Sequence, residues 1–495
     1  MALYTSDLKQ NIDFITSELG MKSSIVVKSF FIGSDQPLDA AIIYINGLVE
    51  KNTIDRDILS PLMLYIQENL NCKENLAEYL CKRYIFMSST NIETDINEII
   101  TSVKKGNSVI LINGIFEGIV LDTSGGESRS ILEPETETSV RGSRESFVEN
   151  LDTNISLIGR KLKDKNLVVE KFILGQLTQN DAAIIYVQDL ADDTVVNKIR
   201  ERICSINVDK VTDVGTLQQY IEDYTYSPFP QTLVTERPDV AVAQLSEGRV
   251  IMAVEGSPTV LTGPATLIEF FQAVEDYYQR TLASSFIRII RLLAVFIVIT
   301  LPSIYLTLMK FNTELIPIKF ITPIIQSRIG IALTPFMEIL SMELIVEFLR
   351  EGGLRLPSKI GQTLSVVGGI IIGDTAVRSR IVSPTTLFII GISVISTFLI
   401  PKYDMSIAIR LLRFPMLLLA NFLGIFGIGL GYFVITVHLC SLDSFGVPYL
   451  EFKKQDMKDV FIRSPLWQFN KRPKSIPNKD SVRQSDFRDK WQKDE

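Results

Sequence analysis

The sequence predicts a two-part protein: a soluble α/β part made of two duplicated modules, followed by an α-helical transmembrane domain and a short polar cytoplasmic tail. Three observations predict it. A segment of the first half recurs 142 positions later without a net gap. Residues 286–440 are dominated by apolar runs, several close to the roughly 20 residues a bilayer requires. Residues 451–495 then turn strongly polar and carry 12 Lys/Arg. The overall composition of this 495-residue chain, 46% hydrophobic and 22% charged, averages over these unlike parts.

Taken in order, residues 1–24 read as a helical lead. Residues 25–120 form the first module and 167–280 the second. VVKSFFIGSDQPLDAAIIYINGLVE begins at Val26, and VVEKFILGQLTQNDAAIIYVQDLAD at Val168. At one offset Gly33 matches Gly175, Tyr44 matches Tyr186, Gly106 matches Gly248 and Gly114 matches Gly256. In each copy DAAIIY is a short apolar run of the kind that makes a buried strand. A helical stretch follows it. VILINGI and VIMAVEG are further strands, each ending at a glycine turn. Matched strands and turn glycines are what a duplicated scaffold retains, so the repeat speaks of architecture and not of chemistry.

Between the copies, 121–166 is a charged linker that turns helical at SFVENLDTNISLIGRKLK. Its mixture of both charge signs suits either a solvated linker or a salt-bridged contact between modules or subunits. The assembly residues this points to are Arg141, Arg144 and Glu145. TYSPFPQTLVTERPDVAVAQLSEG contains Pro228, Pro230 and Pro238 and reads largely as a loop.

The transmembrane domain is expected over 286–445, with spans at about 289–309, 360–377, 381–400 and 411–442, the last long enough to tilt. Arg280, Arg288 and Arg291 mark a cytoplasmic end by the positive-inside rule. The basic tail, 446–495, belongs on the same side, so the number of spans is even. Between the first two spans, 312–358 is apolar but broken by Pro317, Pro323 and Pro335. An acidic helix at about 331–349 carries Glu338, Glu343 and Glu347. Glu343 and Glu347 share a face, and Glu338 lies off it. Two readings stand: an amphipathic helix in the interface, or a spanning or re-entrant helix lining an aqueous path. The second span mixes glycines with Gln362, Thr363 and Asp374. Close helix packing accounts for the glycines. A pore accounts better for the polar residues, with Val366, Val367 and Ile370 as a hydrophobic constriction.

Much is excluded. The single histidine, His438, lies in an apolar run, so triads and histidine-based metal sites lack support. No P-loop or G-x-S-x-G is present. No metal or cofactor is expected, and no enzyme. The four cysteines form no C-x-x-C pair, and their scatter suits a reducing compartment. The N-terminus lacks a secretory signal pattern, which places the soluble part on the synthesis side. A net charge of −7 argues against nucleic-acid binding.

EPETETSVRGSRESFVENLDTNISLIGRKLK (133–163), SPFPQTLVTERPDVAVAQLSEGRVIMAVEGSP (227–258), EGGLRLPSKIGQTLSVVGGIIIGDTAV (351–377) and VSP (382–384) resemble the A subunits of the spore germinant receptors, the GerA family. The resemblance spans nearly the whole chain. Ser143, Ser146 and Gly159 depart from the family pattern locally. The resemblance implies a multi-pass protein of the spore inner membrane, with the N-terminal domain and C-terminal tail cytoplasmic. It implies a homo-oligomeric, ligand-gated channel for monovalent cations that triggers germination. It also implies a transporter-like B subunit and a lipoprotein C subunit as partners. A signal-transmitting scaffold without its own pore and the sporulation paralogue are the alternatives.

Overall fold

The computed structural model describes residues 7–488 apart from 20–23, 34–36, 69, 71–74, 124–133, 135, 140, 356–368, 370–371, 452, 454–455 and 486. The soluble part contains two five-stranded antiparallel sheets. The first is built from β1 (Ile25–Ile32), β2 (Leu38–Ile45), β3 (Thr90–Glu93), β4 (Ser108–Ile112) and β5 (Gly118–Leu121), in the order β1-β2-β4-β5-β3. The second is built from β6 (Leu167–Leu174), β7 (Asn180–Val187), β8 (Leu233–Thr235), β9 (Val250–Val254) and β10 (Val260–Gly263), in the corresponding order β6-β7-β9-β10-β8. Pairing registers agree as well: Val26 faces Tyr44, and Val168 faces Tyr186. Helix Ile96–Lys104 precedes β4 as helix Pro238–Leu245 precedes β9.

The matched glycines have a backbone reason. Gly33 and Gly175 lie at φ +82° and +85°, Gly106 and Gly248 at +99° and +91°, and Gly114 and Gly256 both at +85°. A side chain is strained at such angles, so both modules use glycine at these turns.

The central strands are covered on both faces, which is why DAAIIY reads as a run and not as an alternation. From β2, Ile43 and Ile45 enter a core shared with Ile185 and Val187 of β7. Ala40 and Ile42 face the opposite way, onto Ile58, Leu62 and Leu80. The linker helix, Leu151–Lys161, is the filling between the sheets, with Leu151, Ile155 and Ile158 buried in the shared core. Each such aliphatic side chain contributes about 1.5–3 kcal/mol by burial, so this segment is structural core and not a solvated tether. Asn150 caps it by accepting from the Thr153 amide at 2.8 Å.

The C-terminal part is a helical bundle. Among the described residues two helices are long and apolar enough to cross a membrane, Thr281–Lys310 and Tyr403–Leu423. Pro384–Thr397 and Ile425–Ser441 are shorter apolar helices. The expected single tilted span over 411–442 is corrected. Gly424, at φ +62° and ψ −138°, breaks it into Tyr403–Leu423 and Ile425–Ser441. These two pack as a hairpin: a Cβ on Gly427 would lie 2.2 Å from the Leu419 carbonyl oxygen, and one on Gly431 2.6 Å from Met416 Sδ. The hydrophobicity of the run hid the turn, because glycine costs little in an apolar count.

Contacts at the helix ends fix their directions. Lys310 Nζ donates to Asn421, and Phe311 packs on Gly424. Lys402 meets Glu137 and Val234 of the soluble part, and His438 Nε2 is 2.9 Å from Ser227 Oγ. Helices Thr281–Lys310 and Tyr403–Leu423 therefore run away from the soluble modules, and Ile425–Ser441 returns. The tail folds back on the second module, where the Lys479 amide donates to the Leu190 carbonyl at 3.0 Å and Arg472 Nε to Ser246 at 2.8 Å.

Candidate functional site

Charged side chains buried where modules and helices meet form a connected set of locks. The first joins the linker to the second module. Arg237, 1% exposed, donates to the Glu137 and Ser143 carbonyls at 3.2 and 2.9 Å and to Ser139 Oγ at 2.6 Å. Its guanidinium also pairs with Asp239 at 2.8 Å, and Tyr278 Oη donates to the same carboxylate at 2.8 Å. Burial alone would raise the Asp239 carboxyl; the bonds from Arg237 and Tyr278 outweigh it and hold the group below the usual range. Burial and the Asp239 acceptor push the Tyr278 phenol up to about 12. Gly142 allows this closure, since its φ is +122° and a Cβ would lie 2.6 Å from the Tyr278 ring. Glu137 completes the lock by accepting from Lys402, the residue that precedes helix Tyr403–Leu423.

The second lock lies at the base of the bundle. Asp276 binds Arg288 Nε and Arg291 Nη1, each at 3.0 Å. Arg288 Nη1 reaches Asp459 of the tail at 2.7 Å, and Tyr277 Oη donates to the same carboxylate at 2.6 Å. Burial first, and Asp459 second, raise the Tyr277 phenol well above its ordinary value. Arg288 and Arg291 are thus buried structural partners, and they hold the tail and the soluble part at one end of the bundle.

The third layer is inside the bundle, on the acidic helix Pro335–Leu354. Glu343 pairs with Arg413 at 2.6 Å, with side chains 1% and 2% exposed. Arg413 also meets Glu347 at 3.2 Å, and Glu347 takes Arg410 at 3.0 Å and Arg350 at 3.4 Å. Two carboxylates therefore face three guanidiniums. Toward the start of this helix Glu338, fully buried, binds Arg328 at 2.8 Å. It also accepts from Thr386 Oγ1 at 2.9 Å and the Ser383 amide at 3.2 Å. Buried charges need this density of partners because an unpaired one costs far more than the pair gains.

Of the two readings of the acidic helix, this geometry has it packed within the bundle, through Glu338, Ile339, Met342 and Glu343. Glu343 and Glu347 do share a face, and Glu338 does point elsewhere. Gln362, Thr363, Val366, Val367 and Ile370 lie outside the described residues. Residues 372–378 are helical, and Asp374 is exposed and paired with Arg378 at 2.8 Å. Of the assembly residues, Glu145 pairs within the linker, with Arg160 at 3.1 Å and Lys161 at 2.5 Å, while Arg141 and Arg144 are exposed. Linker residues that reach the modules include Glu137, Ser139 and Ser143 through Arg237, Thr136 through Glu236, and Asp152 through Asn46 and Lys171.

Sequence reasoning missed Arg237 in the first lock, Asp276 and Asp459 in the second, and Arg328, Arg410 and Arg413 in the third. One signal was available. Arg410 and Arg413 are three apart in an apolar stretch, the spacing that faces a Glu343/Glu347 pair.

Residues 13–475 match the family described as Bacillus/Clostridium GerA spore germination protein. The chain is 37% identical over 486 residues to spore germination protein KA of Bacillus subtilis (strain 168), covering 97% of this chain and 89% of that one. It is 39% identical to the uncharacterized membrane protein YfkQ of the same organism, covering 94% and 91%. With spore germination protein B1 of that organism the identity is 35%, covering 97% and 99%. Among solved structures, the N-terminal domain of the A subunit of the Bacillus megaterium spore germinant receptor GerK3 is similar at 29% identity and a TM-score of 0.41, covering 54% of this chain and 98% of that chain.

Proposed function

Since the chain belongs to the GerA family of spore germination proteins, we propose that it is the A subunit of a spore nutrient-germinant receptor. In this reading it sits in the spore inner membrane with its soluble part and tail in the cytoplasm. It assembles with copies of itself, a transporter-like B subunit and a lipoprotein C subunit. The oligomer conducts monovalent cations when the receptor is engaged. We read its two α/β modules as copies of one unit, supported by their equal strand order and constant offset.

The observation that carries the channel reading is the buried ion-pair layer Glu343, Glu347, Arg410 and Arg413 inside the helical bundle. Charges at such depth face protein or water and are typical of moving or conducting elements. The acidic helix leads directly into the glycine-rich segment, where Gln362, Thr363 and Asp374 supply polar positions. We propose the constriction at Val366, Val367 and Ile370, with the helix of Glu338, Glu343 and Glu347 beside its mouth. The test is cation flux in liposomes holding the purified chain. Val366→Ala or Val367→Ala should raise flux by wetting the constriction, and spores carrying either should germinate without nutrient. Glu343→Gln should lower flux with assembly intact. The linker is proposed as an assembly surface through Arg141, Arg144 and Glu145. Charge reversal of Arg141 and Arg144 should reduce assembled complex.

A second reading, a scaffold that passes a signal without its own pore, is favoured by the other side of the same geometry, the neutralisation of each carboxylate within the chain. Glu338, Glu343 and Glu347 each have an arginine of the same chain as partner. Absence of flux from every assembly, open-biased variants included, would select it.

A further inference from the structure

We propose that the loop following helix Val214–Ile221 is a membrane-surface anchor, in which Tyr224 and Tyr226, with Tyr220 of that helix, insert at the headgroup–acyl boundary of the bilayer. This rests on the membrane placement of the bundle proposed above. Tyr226 is completely exposed, and Tyr220 and Tyr224 are 49% and 37% exposed. Three outward tyrosines within seven positions are unusual on a face meant only for water. An aromatic body with a polar tip suits the boundary between hydrocarbon and headgroups.

The loop is positioned for this. Ser227, next to Tyr226, holds His438 at 2.9 Å, and the Phe229 ring lies 6.0 Å from the same imidazole. His438 is in the last turn of Ile425–Ser441, whose Phe433, Val434 and Val437 are 65%, 56% and 53% exposed. The tyrosines therefore adjoin the apolar outer face of that helix at the end where it returns to the soluble part. The neighbouring carboxylates, which would be repelled by lipid phosphates, are engaged by the protein. Glu222 accepts from the Gln231 amide at 3.2 Å and Thr232 Oγ1 at 3.1 Å. Asp223 pairs with Arg202 at 2.5 Å. The most exposed side chain of the loop is a phenol, Tyr226, and its exposed carboxylate, Asp223, is paired with Arg202. Such an anchor fixes how deep and at what tilt the second module rests on the membrane.

The experiment uses the full chain in liposomes, with Trp467→Phe and Trp491→Phe to clear the background and a single new tryptophan per variant. Tyr226→Trp is compared with Phe433→Trp on the bundle and Tyr65→Trp on the outer face of the first module. Phospholipids brominated at shallow or deep acyl positions act as quenchers. The expected result is blue-shifted emission from the Tyr226 variant, quenched most by shallow bromines, with the Phe433 variant quenched and the Tyr65 variant unaffected. Quenching of the Phe433 variant with red-shifted, unquenched emission from the Tyr226 variant overturns the anchor alone. Blue-shifted but unquenched emission from the Tyr226 variant assigns the loop to a protein contact and also overturns it. No quenching at either position overturns the membrane placement and the anchor together.

Discussion

Replacing Arg413 with leucine removes the cation that Glu343 depends on. Among the described residues Arg413 is the one ion-pair partner of Glu343 within 4 Å, at 2.6 Å, and both side chains are almost fully buried. Glu347 loses its 3.2 Å contact as well, but it keeps Arg410 at 3.0 Å and Arg350 at 3.4 Å. The damage therefore concentrates on Glu343, a carboxylate left in an apolar interior. Breaking one side of a buried pair costs about 3–5 kcal/mol, and Arg413→Leu should fall in that range. Glu343→Gln should cost less, about 1–2 kcal/mol, because Arg413 retains Glu347. Replacing both residues by leucine removes the desolvated charges together and should return stability to within about 1 kcal/mol of the parent. Unfolding of the purified chain in mixed micelles, followed by circular dichroism against a denaturing-detergent titration, measures all four proteins on one scale. A double variant as unstable as Arg413→Leu alone would refute the reasoning, because the loss would then come from packing and not from an unpaired charge.

Further expectations follow from other parts of the chain. The Tyr186 phenol, half-buried and donating to Glu170 beside Arg200, is pushed up to about 12 by burial first and Glu170 second. Its folded value exceeds the unfolded value of about 10, so its contribution is complete below about pH 10 and is lost as pH rises through about 12; Tyr186→Phe should remove that alkaline loss in a stability–pH profile. Gly114→Ala should cost about 1–2 kcal/mol by backbone strain alone, since no atom lies within 4 Å of an added Cβ. Gly248→Ala should cost more, because its Cβ would sit 2.9 Å from the Leu190 carbonyl oxygen; thermal unfolding of the two variants gives the order. Asp459→Asn should loosen the tail from Arg288 and Tyr277 and speed its removal by limited proteolysis, with the second module left intact.

The soluble part was legible because its physics is local. A strand buried on both faces must be an apolar run, and a turn at φ near +85° selects glycine. Both signals recur in the sequence at one offset of 142 residues, which separated them from chance. The linker was only half legible. Its helical period could be read from FVENLDTNISLI, but a period cannot say that a helix is covered on all sides. Its Ile155 and Ile158 meet strands from both modules, and that arrangement exists only after both sheets are formed.

The bundle was harder for a physical reason. Hydropathy sums transfer energy along the chain, so it reports where apolar residues are and not where the backbone turns. Gly424 is worth almost nothing in that sum, yet it divides one run into a hairpin. The charges show the same blindness in reverse. Taken singly, Glu343 and Glu347 are too costly for an apolar interior, and on that ground the sequence predicts an aqueous path or an interfacial helix. Their cost is met about 65 residues later by Arg410 and Arg413. Glutamates four apart and arginines three apart each present one face of a helix, and two such faces can be matched without knowing the fold. A search of apolar segments for complementary charge spacings would have placed the acidic helix against Tyr403–Leu423. It would also have recast the glutamates as the acidic side of a paired layer, whose rearrangement, rather than whose bare charge, is what a gate would use.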